Sequence, residues 1–320
     1  MGYKWGSLNP KLKDDIMKRI NPIYLKEIKI GVRTKKAAII LLLYNGFLAL
    51  FGLFFFYLTF DAGSRYTGRI DYSEILSLYL VIVAVEFGLV LFTVPGLTSP
   101  TISGEREKQT LDILLTTSLS PRQIIIGKLA SSISVMILLA ISSLPILALV
   151  FSIGGITMLD FAEFLVLIIV TAVFIGSIGI FFSTLYKRTT PATVSSYGAI
   201  LVLVVGTFMV LWALMVVKEL NLINQVVDEE IYYHIDIGNW ALLLLINPGV
   251  TCYSMLIDQV GTGYELGRFI GKFGTVPDFV INNWFIISIG VQLIISGIMI
   301  LWSAWLLDPL RGKPKSKAKH

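Results

Sequence analysis

Catalysis, metal binding and nucleotide binding each need particular side chains at particular spacings, and this sequence supplies few of them. No G-x-x-x-x-G-K-[ST] stretch occurs, so nothing cradles a nucleotide in that mode and the chain is not its own motor. GTGYELG at 261–267 superficially suggests a phosphate loop, but its spacing is wrong, no strand precedes it, and it reads as an ordinary loop. The two histidines, His234 and His320, are too few for a histidine dyad or a zinc site. Ser131, Ser132, Ser142 and Ser143 lie in apolar stretches, where serine packs helices rather than attacking substrates. A single cysteine, Cys252, excludes an intramolecular disulfide and a multi-cysteine metal site. Two features remain that could do work: one acid, Glu86, inside an apolar run, and the stretch SGEREKQTLDILLTTSLSPRQ at 103–123, with four charges in its first six positions.

The elements that must position them are set by composition. Of 320 residues, 55% are hydrophobic and 15% charged, against about a quarter charged in soluble domains, so this is an integral membrane protein. A span needs roughly 20 apolar residues. Seven runs qualify by their lack of charge: 37–60, 75–104 (broken only by Glu86), 129–159, 164–186, 189–217, 237–257 and 279–307.

Lys and Arg stay in cytoplasmic loops, and that decides how many runs cross. If six cross and 237–257 stays outside, 21 basic residues lie inside and 5 outside; if all seven cross, the balance falls to 18 against 8. Six spans fit better. The odd run also carries Asn239, Asn247, Pro248 and Gly249, polar and helix-breaking residues suited to two short helices dipping in and returning, shielded by protein. The expected organisation is an all-α membrane protein with both termini cytoplasmic. An arm at 1–36 is followed by a transmembrane domain at 37–307 and a basic tail at 308–320. Its spans fall at about 37–60, 75–98, 129–153, 164–186, 193–217 and 282–306, with an external segment at 218–281. The 36 polar residues before the first span do not resemble a signal peptide.

Net charge +5 comes from the loops and the tail RGKPKSKAKH, which reads as a topology signal and a headgroup anchor to membrane lipid. No basic face interleaved with aromatics points to nucleic acid. In the arm, Asn21 and Pro22 suit a helix start; Leu25, Ile28 and Val32 then share one face and Lys26, Lys29 and Arg33 another, the pattern of a helix in the headgroup plane. Trp302, Trp305, Trp284 and Trp240 fall where this topology puts interfaces and read as belt anchors. Ala172 with Gly176, and Gly179 with Ser183, repeat at four-residue spacing and let helices approach closely, within the subunit or in a dimer.

Glu86 costs about 2.5 to 3.5 kcal/mol to insert, less than the surrounding Ile, Leu, Val and Phe return. It should face the bundle interior, either meeting a cation or proton on the translocation path or simply bonding a neighbouring helix.

The 103–123 stretch links spans two and three on the inner face. Ser103 suits an N-cap, with Glu105 and Glu107 in the first turn, and a helix is expected over about 103–118. Leu111, Leu114 and Leu115 make an apolar stripe apart from Arg106, Lys108 and Asp112. Ser120-Pro121-Arg122-Gln123 then supplies a capping box that starts span three. The stripe can fill a groove on a soluble partner or lie on the membrane.

This stretch resembles the signature of permease subunits of type-2 ATP-binding-cassette exporters. In them E-R-E, T-L, a leucine pair, a Ser or Thr and a closing G-K recur at this spacing, matched here by Glu105, Arg106, Glu107, Thr110, Leu111, Leu114, Leu115, Gly127 and Lys128. Asn21, Pro22, Lys26, Glu27 and Arg33 resemble the start of one branch of these permeases, and Asn247-Pro248 its external hairpin. Gln109 departs where glycine is common, and Ser118 where proline is common.

The resemblance implies a six-span permease of a prokaryotic plasma membrane, itself no enzyme and binding no cofactor. It would pair with a second copy or a homologous permease and with two cytoplasmic ATPase subunits, which hold the ATP and Mg. In such families the loop helix is the coupling helix, so Glu105, Arg106, Glu107, Thr110, Leu111, Leu114 and Leu115 are the expected ATPase-coupling residues. The alternative is a standalone ion-coupled carrier or channel that uses Glu86.

Overall fold

A computed structural model describes residues 23–24, 35–66, 72–116, 119–153, 157–223, 236–260 and 264–308, and among these the protein is helical throughout, with no strand. In chain order the helices are α1 (Lys35–Tyr66), α2 (Tyr72–Thr98), α3 (Pro100–Glu107), α4 (Leu111–Leu115), α5 (Pro121–Ile153), α6 (Met158–Leu185) and α7 (Thr189–Leu201). A π-helical turn, Val202–Gly206, joins α7 to α8 (Thr207–Ile223). A 3₁₀ helix (Gly238–Ile246), α9 (Pro248–Val260), α10 (Glu265–Gly271), α11 (Asp278–Asn282) and α12 (Trp284–Leu307) follow. The amphipathic arm helix, the basic tail, His234 and Ser118 lie outside the described residues.

Among the described residues six helical segments are long and apolar enough to cross a membrane: Ala38–Leu58, Leu78–Glu107, Pro121–Ile146, Met158–Leu185, Thr189–Asn221 and Trp284–Leu307. The 3₁₀ helix and α9 would make a seventh only if counted together, and they are bent by 94° at their junction. That break falls at Asn247-Pro248, where proline removes a backbone donor.

Local chemistry fixes several helix starts. α6 opens on a capping box in which the Thr157 hydroxyl accepts from Asp160 N–H (3.3 Å) and the Asp160 carboxylate accepts from Thr157 N–H (2.6 Å). α5 starts as its sequence predicts, with Gln123 Oε1 accepting from Ser120 N–H at 2.9 Å and Pro121 at the first position.

One expectation fails: Ser103 is not an N-cap. Pro100, lacking a donor, takes the first position of α3, so Ser103 is buried inside the helix and its hydroxyl donates to Ser99 O at 2.9 Å. Glu105 and Glu107 consequently sit in the last turn. The helix also does not run unbroken over 103–118, because Gln109 takes a left-handed conformation (φ 57°) between α3 and α4. This is the position where the resembled permeases commonly carry glycine, the residue that meets this backbone without strain. Gln109 is exposed. Gln109→Gly is expected to raise the unfolding midpoint in detergent, by up to about 1 kcal/mol after the added freedom of the unfolded chain is offset.

α6 is the central post, packed on α12, α2, α5 and α7. Its small residues make that possible within one subunit. A β-carbon on Gly179 would overlap the Thr98 hydroxyl and come within 3.0 Å of Thr98 Cβ, and one on Gly176 would lie 2.8 Å from Leu129 Cδ1. At the end of the bundle carrying α3 and α4, Ile102, Leu111, Ile124, Ile125, Leu129, Ile180 and Leu307 form one buried cluster, which Ile23 joins. At the opposite end Leu211, Ile237, Leu244, Val250, Ile270 and Trp284 form another. Trp284 is 1% exposed there, so it is a core residue and not a belt anchor, whereas Trp240, Trp302 and Trp305 are exposed.

Candidate functional site

Each charged residue of the Glu105-Arg106-Glu107 triplet grips a different helix. Glu105 accepts from the Thr110 hydroxyl across the left-handed turn and pairs with Lys128 Nζ of α5 at 3.2 Å. Lys128 is 4% exposed, and a buried ammonium needs such an acid. Arg106 Nη1 donates to the carbonyls of Thr184 (2.7 Å) and Tyr186 (3.0 Å), closing the carbonyl end of α6 with a cation where the helix dipole favours one. Glu107 accepts from Thr189 N–H and from the Thr189 hydroxyl, both at 3.0 Å, at the amino end of α7. An acid is indeed placed at a helix N-terminus here, but that of α7, not of its own helix.

Ser183 of α6 adds a fourth tie, its hydroxyl oxygen accepting from the backbone N–H of Ile102 (2.9 Å) and Ser103 (3.0 Å). The loop between spans two and three is thereby fastened to α5, α6 and α7 at once.

The leucine stripe faces inward. Leu111 is buried in the loop-end cluster, and Leu114 and Leu115 pack half-buried against it. The apolar side chain presented outward is Ile113, 68% exposed, between exposed Asp112 and half-buried Leu114. The arrangement is a small platform with one apolar knob, mounted rigidly on three spans. No cluster of metal-binding side chains occurs among the described residues.

The profile of the ABC-2 family transporter proteins matches residues 22–306, nearly the whole chain. The chain belongs to that family. It is therefore a multi-pass membrane protein and a permease component of an ATP-binding-cassette transporter. Comparison with curated proteins gave no match.

In the permease, Glu86 is fully buried between α2 and α5. Its Oε1 accepts from the Ser143 hydroxyl at 2.6 Å, and the Tyr44 side chain of α1 lies beside the carboxylate. Next to this pair, Asn45 of α1 donates to Ser142 Oγ at 2.8 Å, so a polar seam joins α1, α2 and α5. Glutamine can keep the Ser143 bond. We expect Glu86→Gln to leave ATP-driven transport unchanged across the neutral pH range; a pH-dependent loss would give the carboxylate an active part in translocation.

Two polar devices at the opposite end were not foreseen. Buried Asn247, at the 94° break, donates to Val204 O (2.8 Å) in the π-helical turn and to Thr207 Oγ1 (2.7 Å), and its Oδ1 accepts from Gly249 N–H (2.8 Å). The break in the hairpin and the irregular turn in span five thus satisfy each other's backbone. Tyr79 donates to Gln259 Oε1 (2.8 Å), and Gln259 donates to Asp160 O (3.0 Å) and Glu163 Oε2 (3.3 Å), tying α9 to α2 and α6.

Asp236 staples the entry to the 3₁₀ helix. It accepts from Gly238 N–H (2.6 Å), Thr275 N–H (2.8 Å) and the Thr275 hydroxyl (2.8 Å). The Gly238 N–H foremost, then Thr275, hold its carboxyl below the ordinary carboxylate range. A lowered folded-state value means the contribution is present above that range and lost as pH falls through the folded value. Asp236→Asn should therefore lower the unfolding temperature at neutral pH, with the difference from wild type closing under acid conditions.

Proposed function

We propose that this permease is the membrane subunit of an ATP-driven exporter, paired with a second copy or a homologous permease and with two cytoplasmic ATPase subunits, whose docking platform is the α3–α4 loop. One observation carries the reading: Glu105, Arg106, Glu107 and Ser183 fasten the loop to α5, α6 and α7, while Ile113 and Asp112 are left facing outward. A push on such a platform moves three spans together rather than bending a loose connector. The charge balance of the loops supports a cytoplasmic placement for this end. The ATP and Mg belong to the partner, and this chain contributes the path.

The test is isolation of the tagged, full-length chain from membranes of its own host. We expect an ATP-hydrolysing subunit in near-equal amount, and repeated isolation without one would contradict the reading.

A further inference from the structure

A groove of about 740 Å³ opens beside the platform, between α3–α4 and the ends of α6 and α12. Its apolar lining is Leu111, Leu185 and Leu306; its charged lining is Arg106, Lys187 and Asp112. Leu185 is the last residue of α6 and Leu306 the last but one of α12, so the groove lies where two spans end together. Exposed Trp302 and Trp305 on the last turns of α12 mark the same level, where indoles meet the headgroups.

The charges are arranged unequally. Lys187 is exposed, and Arg106, anchored through Nη1 to the Thr184 and Tyr186 carbonyls, keeps its guanidinium at the wall of the groove. Among the described lining residues Asp112 is the one acid, against the two cations Arg106 and Lys187. Two cations in a mainly polar groove with leucine side chains along it, at the level where hydrocarbon gives way to water, match the phosphate and glycerol of a phospholipid.

We propose that this groove binds the headgroup of an anionic phospholipid, with Lys187 and Arg106 on the phosphate and the leucines against the glycerol and upper acyl chain. The site shares Arg106, Leu111 and Asp112 with the platform, but its ligand comes from the bilayer and its occupancy does not need the ATPase.

The test titrates phosphatidylglycerol, phosphatidylcholine or inorganic phosphate into the purified full-length chain in neutral detergent and reads the unfolding temperature. Variants in the exposed lining residues, Lys187→Glu and Asp112→Asn, leave the Arg106 anchor intact. Phosphatidylglycerol should stabilise the wild type saturably and phosphatidylcholine should not. Lys187→Glu should raise the half-saturating concentration by at least about fivefold, and Asp112→Asn should lower it. Three equal half-saturation values, or no stabilisation of the wild type, would overturn the proposal. So would an equal shift with inorganic phosphate, which would make this a soluble-anion site. A Lys187→Glu protein that responds normally to lipid but recovers less ATPase subunit would overturn it too, making the groove a protein-docking surface.

Discussion

Glu105→Ala combined with Leu114→Asp should leave the permease inserted in the membrane and strip it of its ATPase. The first change removes the acid 3.2 Å from buried Lys128 and the acceptor that ties Thr110 across the Gln109 turn. The second puts a carboxylate against the loop-end cluster, where half-buried Leu114 now packs. Each change acts on how the platform is held, so the double variant loosens α4 without making any of the six long apolar stretches less apolar, Glu105 lying at the end of Leu78–Glu107 and Leu114 outside all six. Ile113→Asp provides the complementary variant, because this side chain faces outward and its replacement leaves the cluster intact. The expected result is loss of ATPase recovery in both, with an unfolding temperature lowered in the double variant and unchanged in Ile113→Asp. Undiminished recovery and transport in both would remove α3–α4 from the docking role.

Arg106→Ala should have the second largest effect, on transmission rather than attachment. Two half-buried hydrogen bonds from a cation to helix-end carbonyls contribute roughly 2 kcal/mol or more, and their loss leaves Thr184 O and Tyr186 O to water. The α6 end then keeps only the Ser183 tie to α3, while Glu107 still grips α7. ATP hydrolysis by the bound partner should continue while transport per ATP falls, and the detergent unfolding temperature should drop. Arg106→Lys should rescue part of the loss, since both bonds leave a single nitrogen, Nη1, and an ammonium carries three donors but sits on a shorter, more flexible stem. Full transport per ATP in Arg106→Ala would show that the Arg106 tie transmits nothing.

Much of the scaffold was legible in the sequence because it depends on period-free, composition-level signals. Charge-free runs marked seven stretches, of which six coincide with helical segments long and apolar enough to cross and the seventh with the bent pair, and Ser120-Pro121-Arg122-Gln123 located the start of α5, since a capping box is local chemistry. Ser103 was misread because Pro100 takes the first helical position and α2 runs almost directly into α3, which leaves Ser103 inside the helix instead of at its start. The triplet's partners were not legible at all: Arg106 meets Thr184 and Tyr186, and Glu107 meets Thr189, residues some 80 positions away. The direction of the leucine stripe was similarly out of reach, because a five-residue helix has too few turns for periodicity to say which face meets the core. One departure from the resembled pattern did carry information: Gln109 stands where glycine is common, and its φ of 57° shows what the glycine is for.

The central claim is that the platform on α3–α4 meets the ATPase, and a single cross-linking measurement tests it. Cys252, the only cysteine, is buried, so Cys252→Ser supplies a background free of native thiol. Into it go Ile113→Cys on the platform or Tyr264→Cys, 80% exposed at the opposite end of the bundle. A short thiol-to-amine cross-linker should join position 113 to an ATP-hydrolysing subunit in membranes and leave position 264 unjoined. Capture from position 264 with none from position 113 would contradict the account.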